Sequence, residues 1–182
     1  SGNGQALAPG AEELKQVTIV ATCGTPRIFE EAPRKYVFRT MGHATADNVA
    51  AAMYVKEKYP NLKGYTGINQ NYAWGQDSWR DFDLTLKQIM PGSSPSDKTQ
   101  FPKIFAGQYG SEISAMSLDK AELIHTSFWG GDLEAFIFQG NARGLFKKKI
   151  GVFTVGGTAA YRLGKKLPNG LVLGARGPYG IL

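Results

Sequence analysis

Hydrophobic positions follow two rhythms along the chain. Residues 17–22 (VTIVAT) form a continuous apolar, β-branched run, the pattern of a strand buried on both faces. Residues 35–40, 62–69, 121–128 and 150–155 predict further strands, and residues 170–174 open a last one that Pro178 breaks. Between these runs, apolar residues recur every three or four positions. Residues 46–59 place Val49, Ala52, Met53 and Tyr54 on one side of a helix, with Asp47 as its N-cap and Pro60 as its stop. Residues 77–90 carry Trp79, Phe82, Leu86 and Ile89 on one stripe. Residues 5–15 predict a short helix interrupted at Pro9-Gly10, and residues 112–120 another short one. Residues 133–146 predict a helix whose end is weakened by Asn141 and Gly144. The segment 91–97 is a loop of turn formers.

Strands that alternate with helices predict an α/β fold with a doubly wound, mostly parallel sheet. Ligands of such sheets sit outside the carboxyl ends of the strands. Here those ends are residues 22–25, 69–74, 127–132 and 155–158. Three of the four combine glycine with an aromatic or hydroxyl residue.

Composition narrows the function classes. The chain has 182 residues, 42% of them hydrophobic and 20% charged, which suits a packed core and argues against disorder. Its 23 glycines and 9 prolines imply many turns. The net charge of +6 is not gathered into a groove: residues 147–149 and 165–166 are short lysine clusters without interleaved aromatics, so no nucleic-acid partner is indicated. The single cysteine, Cys23, excludes an intrachain disulfide and a cysteine zinc site, and two histidines exclude a multi-histidine metal site. No apolar run approaches the length of a membrane span. Gly156-Gly157-Thr158 lacks the rest of a dinucleotide fingerprint, and there is no Walker A sequence and no G-x-S-x-G. The residues therefore indicate no enzyme, no cofactor and no metal. His125 lies within a strand pattern and reads as structural. His43, in a glycine-bearing connector, reads as solvated, and Cys23 as a small buried thiol.

Three constellations can carry binding. Tyr72, Trp74 and Trp129 stand beside glycines after two different strands. Rings supply apolar area there and glycine lets backbone N–H groups approach polar ligand atoms. Packing under a loop explains the same residues equally well. Thr22, Gly24 and Thr25 offer hydroxyls and N–H groups to a carboxylate, or satisfy their own turn. Asp132 heads a helix, where capping is a sufficient role; a ligand ammonium group is the alternative.

The stretches SGNGQALAPGAEELK, YVFRTMGHATADNVAAAMYV, INQNYAWGQDSW, FWGGDLEAFIFQG and LVLGARGPY, in that order, resemble the solute-binding proteins of ABC importers of the branched-chain amino acid type. The resemblance implies part of a two-lobed periplasmic-binding-protein (Venus-flytrap) fold. It places a partial lobe I at residues 1–44, lobe II at 45–175 and the return to lobe I at 176–182, and it implies a fragment of a longer protein. By position Ser1, Thr22, Gly24 and Thr25 match the groups that hold a ligand carboxylate. Where the family usually has a Tyr before a Gly, this chain has Trp74, with Tyr72 two residues earlier. The loop at Gly157 and Thr158 lacks the acid that usually meets an ammonium group, and Asp132 is the nearest substitute. The expected ligand is a small polar or aromatic acid or an amino-acid-like molecule, clamped without covalent chemistry and delivered in the periplasm to a membrane permease. The alternative on the same fold is the ligand-sensing domain of a receptor or regulator. Exposed lobe I strand edges would favour a dimer.

Overall fold

The structure is a computed structural model that describes residues 2–176. The chain opens with α1 (Gly2–Glu13), β1 (Thr18–Val20), the short α2 (Arg27–Glu30) and β2 (Val37–Arg39). β1 and β2 pair in parallel, with Ile19 beside Phe38. Ala8 of α1 and Ile28 of α2 pack on Val20 and Val37, covering one face of this small sheet. The side chain of Glu12 accepts the backbone N–H groups of Lys35, Tyr36 and Val37, which fixes the entry to β2.

A second sheet holds β3 (Gly64–Gly67), β4 (Ser94–Pro95), β5 (Leu123–Thr126), β6 (Ile150–Phe153) and β7 (Val172–Leu173). Its order is β4-β3-β5-β6-β7 and every pairing is parallel. Because side chains alternate along a strand, neighbours feed opposite cores. Tyr65, Leu123 and Val152 meet α3 (Ala44–Lys58) and α4 (Ala73–Ile89) through Ala52, Val55, Phe82 and Leu86. Ile124 and Phe153 meet α5 (Gly110–Leu118), α6 (Gly130–Ala142) and α7 (Gly157–Leu163) through Ile113, Phe136, Ile137 and Ala159. The sheet is thus wound on both faces, as the alternation predicts. The chain leaves β3 in one direction to form β4 and returns on its other side to form β5. This reversal opens a crevice at the carboxyl ends of β3 and β5.

Several expectations need correction. The run 17–22 is not buried on both faces: Val17 and Ile19 are exposed, because helices cover only the face bearing Val20 and Val37. α1 continues through Pro9, its packing of Gly4 and Ala8 outweighing the lost hydrogen bond. α3 begins two residues before the predicted segment, with His43 rather than Asp47 as N-cap. It buries Ala44, Asn48, Ala52 and Val55 while Met53 and Tyr54 face outward. α4 starts at Ala73 and α6 at Gly130, so Tyr72 and Trp129 are N-caps and not loop residues. α6 stops at Ala142, where Gly144 takes a left-handed φ of 70° and a short 3-10 turn follows. α2 and α7 lie in connectors for which no helix was predicted; two glycines at 156–157 concealed the start of α7.

Candidate ligand-binding cleft

The strand ends converge on a cavity of about 610 Å³. Thr22 and Gly24 reach it from the segment after β1. Tyr72 and Trp74 come from the start of α4, Trp129 and Gly130 from the start of α6, and Val155, Gly157 and Thr158 from the start of α7. Met41, Ala175 and Arg176 complete the wall. Seven of the residues singled out in the sequence (Thr22, Gly24, Tyr72, Trp74, Trp129, Gly157 and Thr158) therefore face one space.

Two of the others, Thr25 and Asp132, do not. Ser1 lies outside the described residues. The Thr25 side chain is buried and turned away: its hydroxyl donates to Asp77 at 2.6 Å and accepts the Arg27 backbone N–H. Asp132 is neither an N-cap nor on the cavity wall. It sits in the first turn of α6 and accepts Gln70 Nε2 at 2.6 Å and the Phe105 backbone N–H at 2.8 Å. Its contribution is to hold Phe105, whose ring meets Trp129 edge-on at 5.7 Å. His43 is only partly exposed, and burial, with Arg39 close by, lowers its pKa.

Each aromatic wall is fixed by a polar tether. Trp74 Nε1–H donates to the Ser127 carbonyl at 2.9 Å, and the indole lies against Gly24 so closely that a Cβ there would sit 2.2 Å from the ring. Trp129 Nε1–H donates to the Tyr72 hydroxyl at 2.9 Å. Burial raises the Tyr72 pKa, so this phenol stays neutral at physiological pH.

Charge enters through residues the sequence did not single out. The Arg176 guanidinium stacks over Trp74 at 5.3 Å and pairs with Asp47. Arg39 lies beneath, donating to the Thr25 carbonyl at 2.8 Å; burial, and then Arg176 nearby, lower its pKa. Among the described residues, none that lines the cavity is acidic. The helix N-termini at Tyr72 and Trp129 carry no side-chain cap. The positive dipole end at Tyr72 adds to the same field, while at Trp129 the Asp132 carboxylate in the first turn of α6 offsets it. Arg176 and Met41 lie within the stretches LVLGARGPY and YVFRTMGHATADNVAAAMYV that carry the resemblance, but nothing in the sequence singled out either residue. Among the described residues, no cluster of three or more His, Cys, Asp or Glu could hold a metal ion, and no helix is long and apolar enough to cross a membrane.

A family profile described as periplasmic binding protein matches residues 1–179. The chain belongs to the periplasmic binding protein family. The solved structures it resembles agree on the fold. A solute-binding protein of an ABC transporter from R. palustris, in complex with benzoate, matches at a TM-score of 0.77 and 20% identity over 88% of this chain and 44% of that one. An amino acid ABC transporter substrate-binding protein from Pseudomonas fluorescens Pf-5 matches at 0.83 and 13% identity over 97% and 47%. A branched chain amino acid ABC transporter protein from Thermus thermophilus, with bound valine, matches at 0.72 and 14% identity over 91% and 42%. This periplasmic binding protein chain thus spans less than half the length of these relatives. No curated protein matches it.

Proposed function

We propose that this chain is the ligand-holding part of an ABC importer's solute-binding protein, acting in the periplasm and handing its ligand to a membrane permease. The proposed ligand is a small aromatic carboxylate held between the β1–β2 unit as lobe I and the larger sheet as lobe II. The cavity is the observation that carries this reading. Trp74, Trp129 and Tyr72 supply flat apolar walls. Thr22, Thr158, Gly24 and Gly157 offer hydroxyl and backbone donors, and Arg176 adds positive charge at the rim. An α-amino acid would bring an ammonium group to a wall on which, among the described residues, no side chain is acidic, an unfavourable burial of unpaired charge. The benzoate complex of the R. palustris relative supports the aromatic acid, and the valine complex supplies the competing candidate.

Titration of the chain with benzoate and with valine, followed by calorimetry and thermal unfolding, tests the proposal. Benzoate is expected to bind, quench tryptophan fluorescence and raise Tm; at 100 times its Kd the stabilisation is about 2.7 kcal/mol. Binding of valine without benzoate would overturn the aromatic-acid reading.

A further inference from the structure

His125 plays no part in the cleft as described, and it is fully buried at the centre of β5. Its ring stacks on Phe82 at 4.2 Å and lies 5.8 Å from Trp79, in surroundings that hold it uncharged. Two asparagines flank it. Asn48 Nδ2 donates to the Ala44 carbonyl at 2.7 Å, so Asn48 Oδ1 is the atom 2.6 Å from His125 Nε2. Asn69 Oδ1 accepts the Ser127 backbone N–H and hydroxyl, both at 2.8 Å, so Asn69 Nδ2 is the atom 3.3 Å from His125 Nδ1. Backbone groups therefore fix both amides. An acceptor faces Nε2 and a donor faces Nδ1, which selects the neutral Nε2–H tautomer.

The chain of hydrogen bonds has both ends in the cleft. At one end the Ala44 N–H donates to the Gly24 carbonyl at 2.8 Å. At the other the Ser127 carbonyl accepts Trp74 Nε1–H at 2.9 Å, and the Trp74 ring closes the circuit against Gly24. Every side chain in it is buried.

We infer that His125 is a positioning residue for the cleft: as the neutral Nε2–H imidazole it ties the segment carrying Gly24 to the strand end that orients Trp74, and so sets the spacing between the two walls that hold a ligand. The network is worth retaining because a half-satisfied one leaves buried amide groups unpaired.

Nitrogen-15 NMR of the 182-residue chain at pH 7 tests this directly. His125 is expected as the Nε2–H tautomer; an Nδ1–H tautomer or a charged ring overturns the inference without any variant. In His125→Phe the stack on Phe82 survives while both hydrogen bonds go. The Trp74 indole N–H resonance, assigned with Trp74→Phe, is expected to shift, and benzoate binding to weaken roughly tenfold. His125→Gln, whose amide can donate to Asn48 and accept from Asn69, is expected to restore both. An unmoved Trp74 resonance with unchanged affinity in His125→Phe would refute the positioning role. The affinity arm rests on the benzoate reading above. If the native chain binds no benzoate, that reading fails, while the tautomer and the indole resonance still decide this one.

Discussion

Gly24 shows how tightly one position constrains the cleft. With the Trp74 ring 2.2 Å from where a Cβ would stand, Gly24→Ala must displace an indole that is anchored to Ser127. Such overpacking costs about 1–3 kcal/mol. Urea denaturation is expected to register that loss, and tryptophan fluorescence a moved Trp74. His125 makes the matching argument for acid. Burial pushes its pKa down to about 3 from an ordinary 6.5. The folded state then refuses a proton that the unfolded chain accepts. Its contribution is complete above pH 6.5 and is lost as pH falls from 6.5 toward 3, by about 1.4 kcal/mol per pH unit. Stability measured across that range should fall less steeply in His125→Phe than in the native chain; equal slopes would refute this.

α4 links the two sheets. Asp77 is buried on its first turns and accepts the Thr25 hydroxyl at 2.6 Å and Arg27 Nε and Nη2 at 2.9 and 2.8 Å. Asp81, one turn on, accepts the Thr45 hydroxyl at 2.7 Å. Asp77→Ala would leave the buried Thr25 hydroxyl without its acceptor and Arg27 with only Gln76 as a side-chain partner, and a loss of about 2–3 kcal/mol in chemical denaturation is expected. The stripe of Trp79, Phe82 and Leu86 announced the helix, but it gave no role to Asp77 and Asp81, which are polar and yet buried. Periodicity registers hydrophobic burial and is silent about a carboxylate buried with its partners. The same limit explains the helix starts. Tyr72, Trp129 and Gly157 read as loop chemistry because glycines and aromatics are poor helix formers, yet packing carries α4, α6 and α7 back to them. The strand ends, by contrast, were legible to within two residues: β1, β3, β5 and β6 stop at Val20, Gly67, Thr126 and Phe153, each two positions before the end of its predicted run. Seven of the ten chosen residues accordingly face the cavity. Thr25 and Asp132 point elsewhere because each found a buried polar partner distant in sequence.

At the scale of the molecule the two sheets differ in how they are covered. The five-stranded sheet has helices on both faces. The β1–β2 pair has them on one, and its other face presents Val17, Ile19 and Phe38, with Ile19 63% and Phe38 51% exposed. Strand register places Ile19 and Phe38 side by side. An uncovered apolar patch on a short parallel sheet, with strand edges beside it, is a surface for self-association. The chain is therefore expected to associate reversibly across a concentration series in sedimentation velocity. Ile19→Lys with Phe38→Lys should suppress that association. Both side chains are exposed, so the pair of substitutions should change stability by no more than about 0.5 kcal/mol each. Ligand binding should also survive, because the cavity lies at the carboxyl ends of the strands and not on this face. A native chain that stays monomeric at every concentration would show that the patch is tolerated in water. Association that persists in the double variant would move the contact to another surface.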